Sequence, residues 1–297
     1  MRVFLTGATG FIGSRIVPEL LGAGHQVLGL TRSDAGARAL AAAGAEVHRG
    51  DIEDLDSLRA GAGQADAVIH TAFDHDFSNF VANCAKDGRV IEALGAALKG
   101  TDRPLLITSG TAMGGSGPGV LASEHVLDRS HPNPRIASEE AGEALKAVGV
   151  DVRVIRLPQV HDTVKQGLIT PLIEIVRAKG VAAYVGEGAN RLSAGHVLDV
   201  ATLYRLALEK GERNARYNAC AEEGVSTRDI AEALGAGLKV PVVSLEPEQV
   251  TAYFGWMAIF AGADMSASSE WTRQALGWRP EGPGLLEDLR AMDYGVA

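Results

Sequence analysis

Cysteine is almost missing from this 297-residue chain: Cys84 and Cys220 are its only two. They stand far apart without CxxC partners, which points to packed, reduced thiols rather than a disulfide framework or a zinc site. Positive charge is also in deficit. The net charge of −9 offers no general attraction to nucleic acid or to an anionic membrane surface. No apolar run approaches the length of a membrane span. The chain opens directly on a strand pattern, without the charged, apolar and cleavable segments of a signal peptide, so a cytoplasmic protein is expected. Aromatic residues make up only 5%, so places where they gather are worth locating. No repeat, metal-ligand cluster or low-complexity tract is visible.

What is present is ordinary for a globular protein: 46% apolar and 22% charged residues, enough chain for one large domain with a smaller lobe. The first half alternates short apolar runs with helical patterns. Strands are expected at 2–6, 26–30, 45–48, 67–70, 104–108 and 152–157, and helices at 11–21, 35–43, 80–99 and 135–148. Such alternation implies right-handed βαβ units and a doubly wound parallel sheet, an α/β Rossmann fold covered on both faces. Beyond Pro158 the alternation weakens, with helices expected near 168–179, 197–209 and 227–234. The division expected is a dinucleotide-binding domain over 1–160 and a mainly substrate-binding lobe over 161–297, returning to the sheet in part. A flexible glycine-rich loop is expected at 114–119.

The turn Gly7-Ala8-Thr9-Gly10-Phe11-Ile12-Gly13 follows the first strand and opens a helix, the context in which a glycine triplet means a dinucleotide cradle. Gly7 permits the tight turn, Gly10 lets the backbone approach a pyrophosphate, and Gly13 allows close helix–strand packing. The second strand ends in Thr31-Arg32-Ser33, without the carboxylate that usually binds the ribose hydroxyls of NAD. Arg32 and two hydroxyls suit a 2′-phosphate, so the cofactor expected is NADP(H). A merely solvated arginine is the bland alternative. Asp51 and Ile52 are placed to meet the adenine, and Asp51 also reads as a helix N-cap.

With TGxTGFIG at 6–13 and DxxD at 51–54, the chain resembles the extended short-chain dehydrogenase/reductases. The resemblance continues at His70-Thr71-Ala72, at Arg156-Leu157-Pro158-Gln159-Val160, at 195–200 and at Leu276-Gly277-Trp278-Arg279-Pro280. It implies further cofactor contacts at Thr9, Thr71, Ala72, Phe73, Leu157, Pro158, Gln159 and Val160. The family's YxxxK pair is missing. Aligning 135–143 with the family pattern places Arg135 at the tyrosine and Glu139 at the lysine, and neither can perform the usual proton transfer, since an arginine pKa lies above about 12. None of the five tyrosines has Lys four residues on. The combination resembles the atypical ketoreductases of aromatic polyketide (angucyclinone) pathways, which belong to antibiotic biosynthesis. That resemblance implies a bulky aromatic ketone as substrate.

Ser109 or Thr111, at the end of the fifth strand, is the candidate hydroxyl for the substrate carbonyl, with Gly110 in the strict register. His161 and His75 are the candidate histidines, and either also reads as a wall residue. His70 and His196 read as structural. A substrate phenol, with a pKa near 10, offers a scheme needing no protein acid. Phe73, Phe77, Met113 and Tyr184 are expected to wall the substrate, with Phe80 at the edge; Phe254, Trp256 and Phe260 read equally well as core. Met113 and the segment 166–188 are a candidate lid. Two other functions stay open: a sugar-nucleotide epimerase or dehydratase, with Arg191 gripping phosphate, and a non-catalytic NADP-binding regulator. The resemblance also implies a homodimer through the helices near 80–99 and 135–148, but no decisive apolar stripe marks them.

Overall fold

The central sheet of the computed structural model consists of seven parallel strands in the order β10-β6-β5-β4-β1-β2-β3. They are β1 (Arg2–Thr6), β2 (Gln26–Thr31), β3 (Glu46–Arg49), β4 (Ala67–His70), β5 (Leu105–Gly110), β6 (Val152–Leu157) and β10 (Arg216–Asn218). The structure describes residues 1–115 and 119–295, so the middle of the loop expected at 114–119 lies outside the described residues. Helices α1 (Gly13–Gly22), α2 (Asp34–Ala42), α3 (Leu55–Gly63), α4 (Phe80–Ala96) and α5 (Ile136–Ala147) connect the first strands. α3 lies in a segment for which no helix is expected from the sequence.

Both faces of the sheet are covered, and β1 shows how. Successive side chains of a strand point to opposite faces. Val3 and Leu5 pack with Ile16, Val17 and Leu20 of α1 on one face. Phe4 packs with Leu58 and Ala62 of α3 and Ile91 and Leu94 of α4 on the other. A strand buried on both sides reads as a continuous apolar run, which is why β1 and β4 stand out in the sequence. Each such side chain contributes about 1.5–3 kcal/mol through burial.

The chain runs outward from β1 to β3, then returns to place β4 on the other side of β1. A crevice opens at the carboxyl ends of strands flanking such a switch point.

The later elements build beside that crevice. β7 (Gln159–His161), β9 (Arg191–His196) and β11 (Glu222–Ser226) form a three-stranded sheet, and β8 (Ala182–Val185) pairs with β12 (Val242–Leu245). Around them lie α6 (Ile169–Lys179), α8 (Thr227–Leu238), α9 (Val250–Phe254), α10 (Ala258–Ala261) and α12 (Leu285–Ala291). α7 (Val197–Lys210) instead joins α1 on the sheet, and α11 (Glu270–Leu276) carries Leu276 into the same cluster. Among the described residues no helix is long and apolar enough to cross a membrane, and no three His, Cys, Asp or Glu are grouped to hold a metal. Burial pushes the Cys84 thiol up to about 11 and Cys220 to about 12, so neither is a nucleophile.

Candidate active site and its relatives

One cavity of about 1470 Å³ runs along the crevice. Ligand pockets usually measure about 300–1,000 Å³, so this one has room for a dinucleotide and a second molecule. All the residues expected to touch the cofactor, from Gly7 to Val160, line it.

The glycine turn is shaped by the side chains it lacks. Gly7 has φ +70°, and a Cβ there would meet the Ala72 amide nitrogen at 2.7 Å. A Cβ on Gly13 would lie 2.0 Å from the Gly7 carbonyl oxygen. Gly10 donates its N–H to the Gly7 carbonyl at 2.9 Å and closes the turn. Among the described residues the amides of Phe11 and Ile12 find no acceptor, and α1 begins without a side-chain cap or an acidic residue in its first turn. Unsatisfied N–H groups at the positive end of a helix dipole, facing a cavity, fit a pyrophosphate.

At the far edge of the cavity, Thr31 is buried, and Ser33 caps α2 by accepting the Gly36 N–H at 3.0 Å. Arg32 stays 82% exposed and stands 3.5 Å from Asp51. So open and loose a pair holds the guanidinium weakly. The N-cap reading of Asp51 is corrected here: Asp54 caps α3 through the Ser57 N–H, while Asp51 accepts the Glu53 N–H two residues on.

At the opposite end Ser109 and Thr111 both line the cavity. The Ser109 hydroxyl is buried and lacks a hydrogen-bond partner among the described residues, whereas Thr111 shares its hydroxyl with Ser193 at 3.3 Å. An orphaned buried hydroxyl at a cavity wall is a group placed for a ligand.

Arg135 and Glu139, expected from the sequence at the family's tyrosine and lysine places, each sit among buried partners. Arg135 also lines the cavity, with its Cζ 4.2 Å above the Phe73 ring. It donates to Asp87, to Ser138 and, at 2.9 Å, to the Thr108 carbonyl. Asp87 accepts from His70 Nε2 at 3.0 Å, and His70 Nδ1 meets Thr6 at 2.6 Å, so a buried rail joins the cofactor turn to Arg135. Burial alone would raise the Asp87 pKa, but Arg135, His70 and Ser138 hold it below the usual carboxylate range. Glu139 is buried in contact with Arg156, itself fully buried, and with Arg216 at 3.0 Å. Both places are thus filled by side chains held in buried ion pairs.

Phe73, Phe77, Phe80 and Met113 line the cavity, together with Trp256, Phe260 and Met265. Phe77 stacks on Trp256 with ring centroids 4.4 Å apart, bridging the sheet side and the later elements. Trp256 and Phe260 are thus wall residues, whereas Phe254 is core. Met113 is fully buried at the cavity wall. His75 lines the cavity against Phe73, and its pKa is lowered first by desolvation and then by the Arg135 charge. Both effects favour the uncharged ring.

Three expected residues, His161, Tyr184 and Arg191, fall outside the cavity. His161 belongs to β7, which leaves the central sheet after Pro158 and pairs with β9. Its ring turns inward and is fully buried, with Nδ1 2.7 Å from Asp288 of α12. Tyr184 faces a separate hollow of about 50 Å³, with Arg228 5.7 Å over its ring. Arg191 is likewise engaged elsewhere, with Ser266 and Asp264. Sequence reasoning missed Arg135 as a cavity wall; its place at the missing tyrosine was the only signal.

An uncharacterized protein of Schizosaccharomyces pombe is 44% identical over 295 residues, covering 99% of this chain and 100% of its own. One of Saccharomyces cerevisiae is 41% identical over 295 residues, covering 98% of each. A 4-hydroxy-2-methyl-3-oxo-4-farnesyl-3,4-dihydroquinoline-1-oxide ketoreductase of Stigmatella aurantiaca is 25% identical over 244 residues, covering 73% of this chain and 67% of its own. The structure of a UDP-glucose 4-epimerase of Thermus thermophilus in complex with NAD superposes with a TM-score of 0.75 at 23% identity, covering 99% of this chain and 98% of that one. The family model of the NAD dependent epimerase/dehydratase family matches residues 3–220. With the glycine turn, the switch-point crevice and that match in agreement, the chain belongs to the NAD dependent epimerase/dehydratase family.

Proposed function

We propose that the protein is an NADPH-dependent ketoreductase acting on a bulky, flat, largely apolar carbonyl compound of the aromatic polyketide kind. The observation that carries this reading is the pairing of an aromatic cavity wall with a proton-transfer segment locked into buried ion pairs. Epimerisation and dehydration of sugar nucleotides need a base that takes a proton from a carbinol. The Arg135–Asp87 and Glu139–Arg156 pairs leave no such base at the family's usual place. Reducing a carbonyl asks for less. The Stigmatella relative named a ketoreductase supports this direction.

Gly7, Gly10 and the free amides of Phe11 and Ile12 would hold the pyrophosphate, and Arg32 with Ser33 the 2′-phosphate. Thr71, Ala72, Leu157 and Pro158 would flank the nicotinamide end. A nicotinamide dinucleotide held there supplies hydride, with its electron pair, to the carbonyl carbon. The carbonyl π electrons then move onto oxygen, and the chain's task is to hold that oxygen until a proton arrives. Ser109 donates its unpartnered hydroxyl to it. Water, or a phenol on the substrate itself, supplies the proton, so no side-chain acid is required.

The test is turnover. NADPH oxidation with an aromatic polyketide ketone is expected, with stoichiometric alcohol formed. Saturable UDP-sugar binding with epimerised product, and no ketone reduced, would replace this reading with the sugar-nucleotide one. That alternative is favoured by the family match.

A further inference from the structure

We infer that Arg135 forms an anion subsite in the cavity wall, so that the preferred substrates carry an ionised oxygen (a phenolate, enolate or carboxylate) on a flat ring system. The inference rests on the reading of a flat, apolar substrate and names the charge that substrate bears. A guanidinium has five N–H donors. Among the described residues three are engaged: two from Nη1, to Asp87 and Ser138, and one from Nη2, to the Thr108 carbonyl. The Nε–H has no partner among the described residues and Nη2 keeps a second N–H; the Nε and Nη2 edge of a guanidinium is the fork that can bind a carboxylate or a delocalised oxyanion with two bonds.

Two further observations point the fork at a ligand. Arg135 lines the cavity, and its side chain is only 14% exposed. The neighbouring wall holds a second orphan, the buried Ser109 hydroxyl, one residue beyond the carbonyl that anchors Nη2. The Phe73 ring, 4.2 Å below the guanidinium, fixes the plane from one side and offers a flat surface to a ring bound beside it.

The pair Arg135–Asp87 is neutral as a whole. The subsite therefore recognises an anion through directed, charge-assisted hydrogen bonds at short range, not through a long-range positive field. It also distinguishes this cavity from one built around a tyrosine, whose single hydroxyl offers one donor.

The experiment is calorimetric binding, to the chain with NADP⁺, of naphthoate and of its neutral isostere naphthamide. The wild type is expected to prefer naphthoate by about ten- to a hundredfold, the worth of hydrogen bonds to a charged group. Arg135→Met alone takes the guanidinium from the buried Asp87 carboxylate, so it is combined with Asp87→Asn; the folded double variant is expected to bind both probes equally. Asp87→Asn by itself removes the competing carboxylate and is expected to widen the preference for naphthoate, an effect that a purely structural arginine would not give. Equal binding of the two probes by the wild type, or an unchanged preference in the double variant, overturns the subsite. Ketone turnover is scored separately. Naphthoate preference without ketone reduction leaves the subsite standing and removes the ketoreductase reading; ketone reduction without naphthoate preference does the reverse.

Discussion

The two ends of the cavity are built on opposite plans. At Gly7–Gly13 the protein makes a binding surface by leaving side chains out, exposing amide donors and a helix terminus. At Arg135–Glu139 it fills the equivalent catalytic ground with charged side chains and then occupies most of their hydrogen-bonding capacity with buried partners. The first plan tolerates no added atom; the second tolerates no lost partner. The two regions therefore obey different physical constraints, one of space and one of paired charge.

The sharpest way to break that contrast is to restore the family's lysine. Glu139→Lys would set a third cation against Arg156 and Arg216 in a buried site. Removing one partner of a buried pair already costs about 3–5 kcal/mol, so the variant is expected to be unfolded or nearly so by urea denaturation, with no gain of epimerase activity. Gly13→Val tests the opposite plan. Its Cβ has no space beside the Gly7 carbonyl, and overpacking of this kind costs about 1–3 kcal/mol or more. Folded protein is expected to survive with a lowered Tm, and titration should show dinucleotide binding lost.

Ser109→Ala is expected to lower ketone kcat/KM by about a hundredfold, typical for one oxyanion donor, with Tm unchanged because the hydroxyl has no partner to lose. Arg32→Ala is expected to raise the KM for NADPH about tenfold and leave that for NADH alone, an effect that salt should weaken. An equal rise for both cofactors would show that Arg32 does not read the 2′-phosphate.

The smallest effect concerns pH. His75 and His161 both have pKa values lowered on folding, by burial first. The unfolded chain then binds more protons, so their contribution is complete above the unfolded value near 6.5 and is lost as pH falls toward the folded values. Urea midpoints should decline below that point, and His75→Gln should reduce the decline.

Much of the fold was legible because its strands are buried on both faces. β4 occupies Ala67–His70 as its apolar run indicates. The nine-residue α3 is hard to see in the sequence: its Asp54 cap doubles as part of a family motif, and its glycines and alanines dilute the apolar period. The short strands after Pro158 carry too few residues to show a period, and so the inward turn of His161 could not be read. The cofactor edge was legible because glycine spacing is local. The role of Arg135 was not, because its partner Asp87 stands on another helix, 48 residues earlier in the chain.

The rail from Thr6 through His70 and Asp87 to Arg135 has an entropic consequence. A free arginine side chain gives up about 1.5–2 kcal/mol of rotamer freedom when it is immobilised. Here the guanidinium is immobilised by the fold itself, so that cost is met once, during folding, and does not recur with each ligand. Affinity at this wall is correspondingly greater than a mobile arginine would give. The same rigidity means that the wall selects ligands by their shape and does not adjust to them.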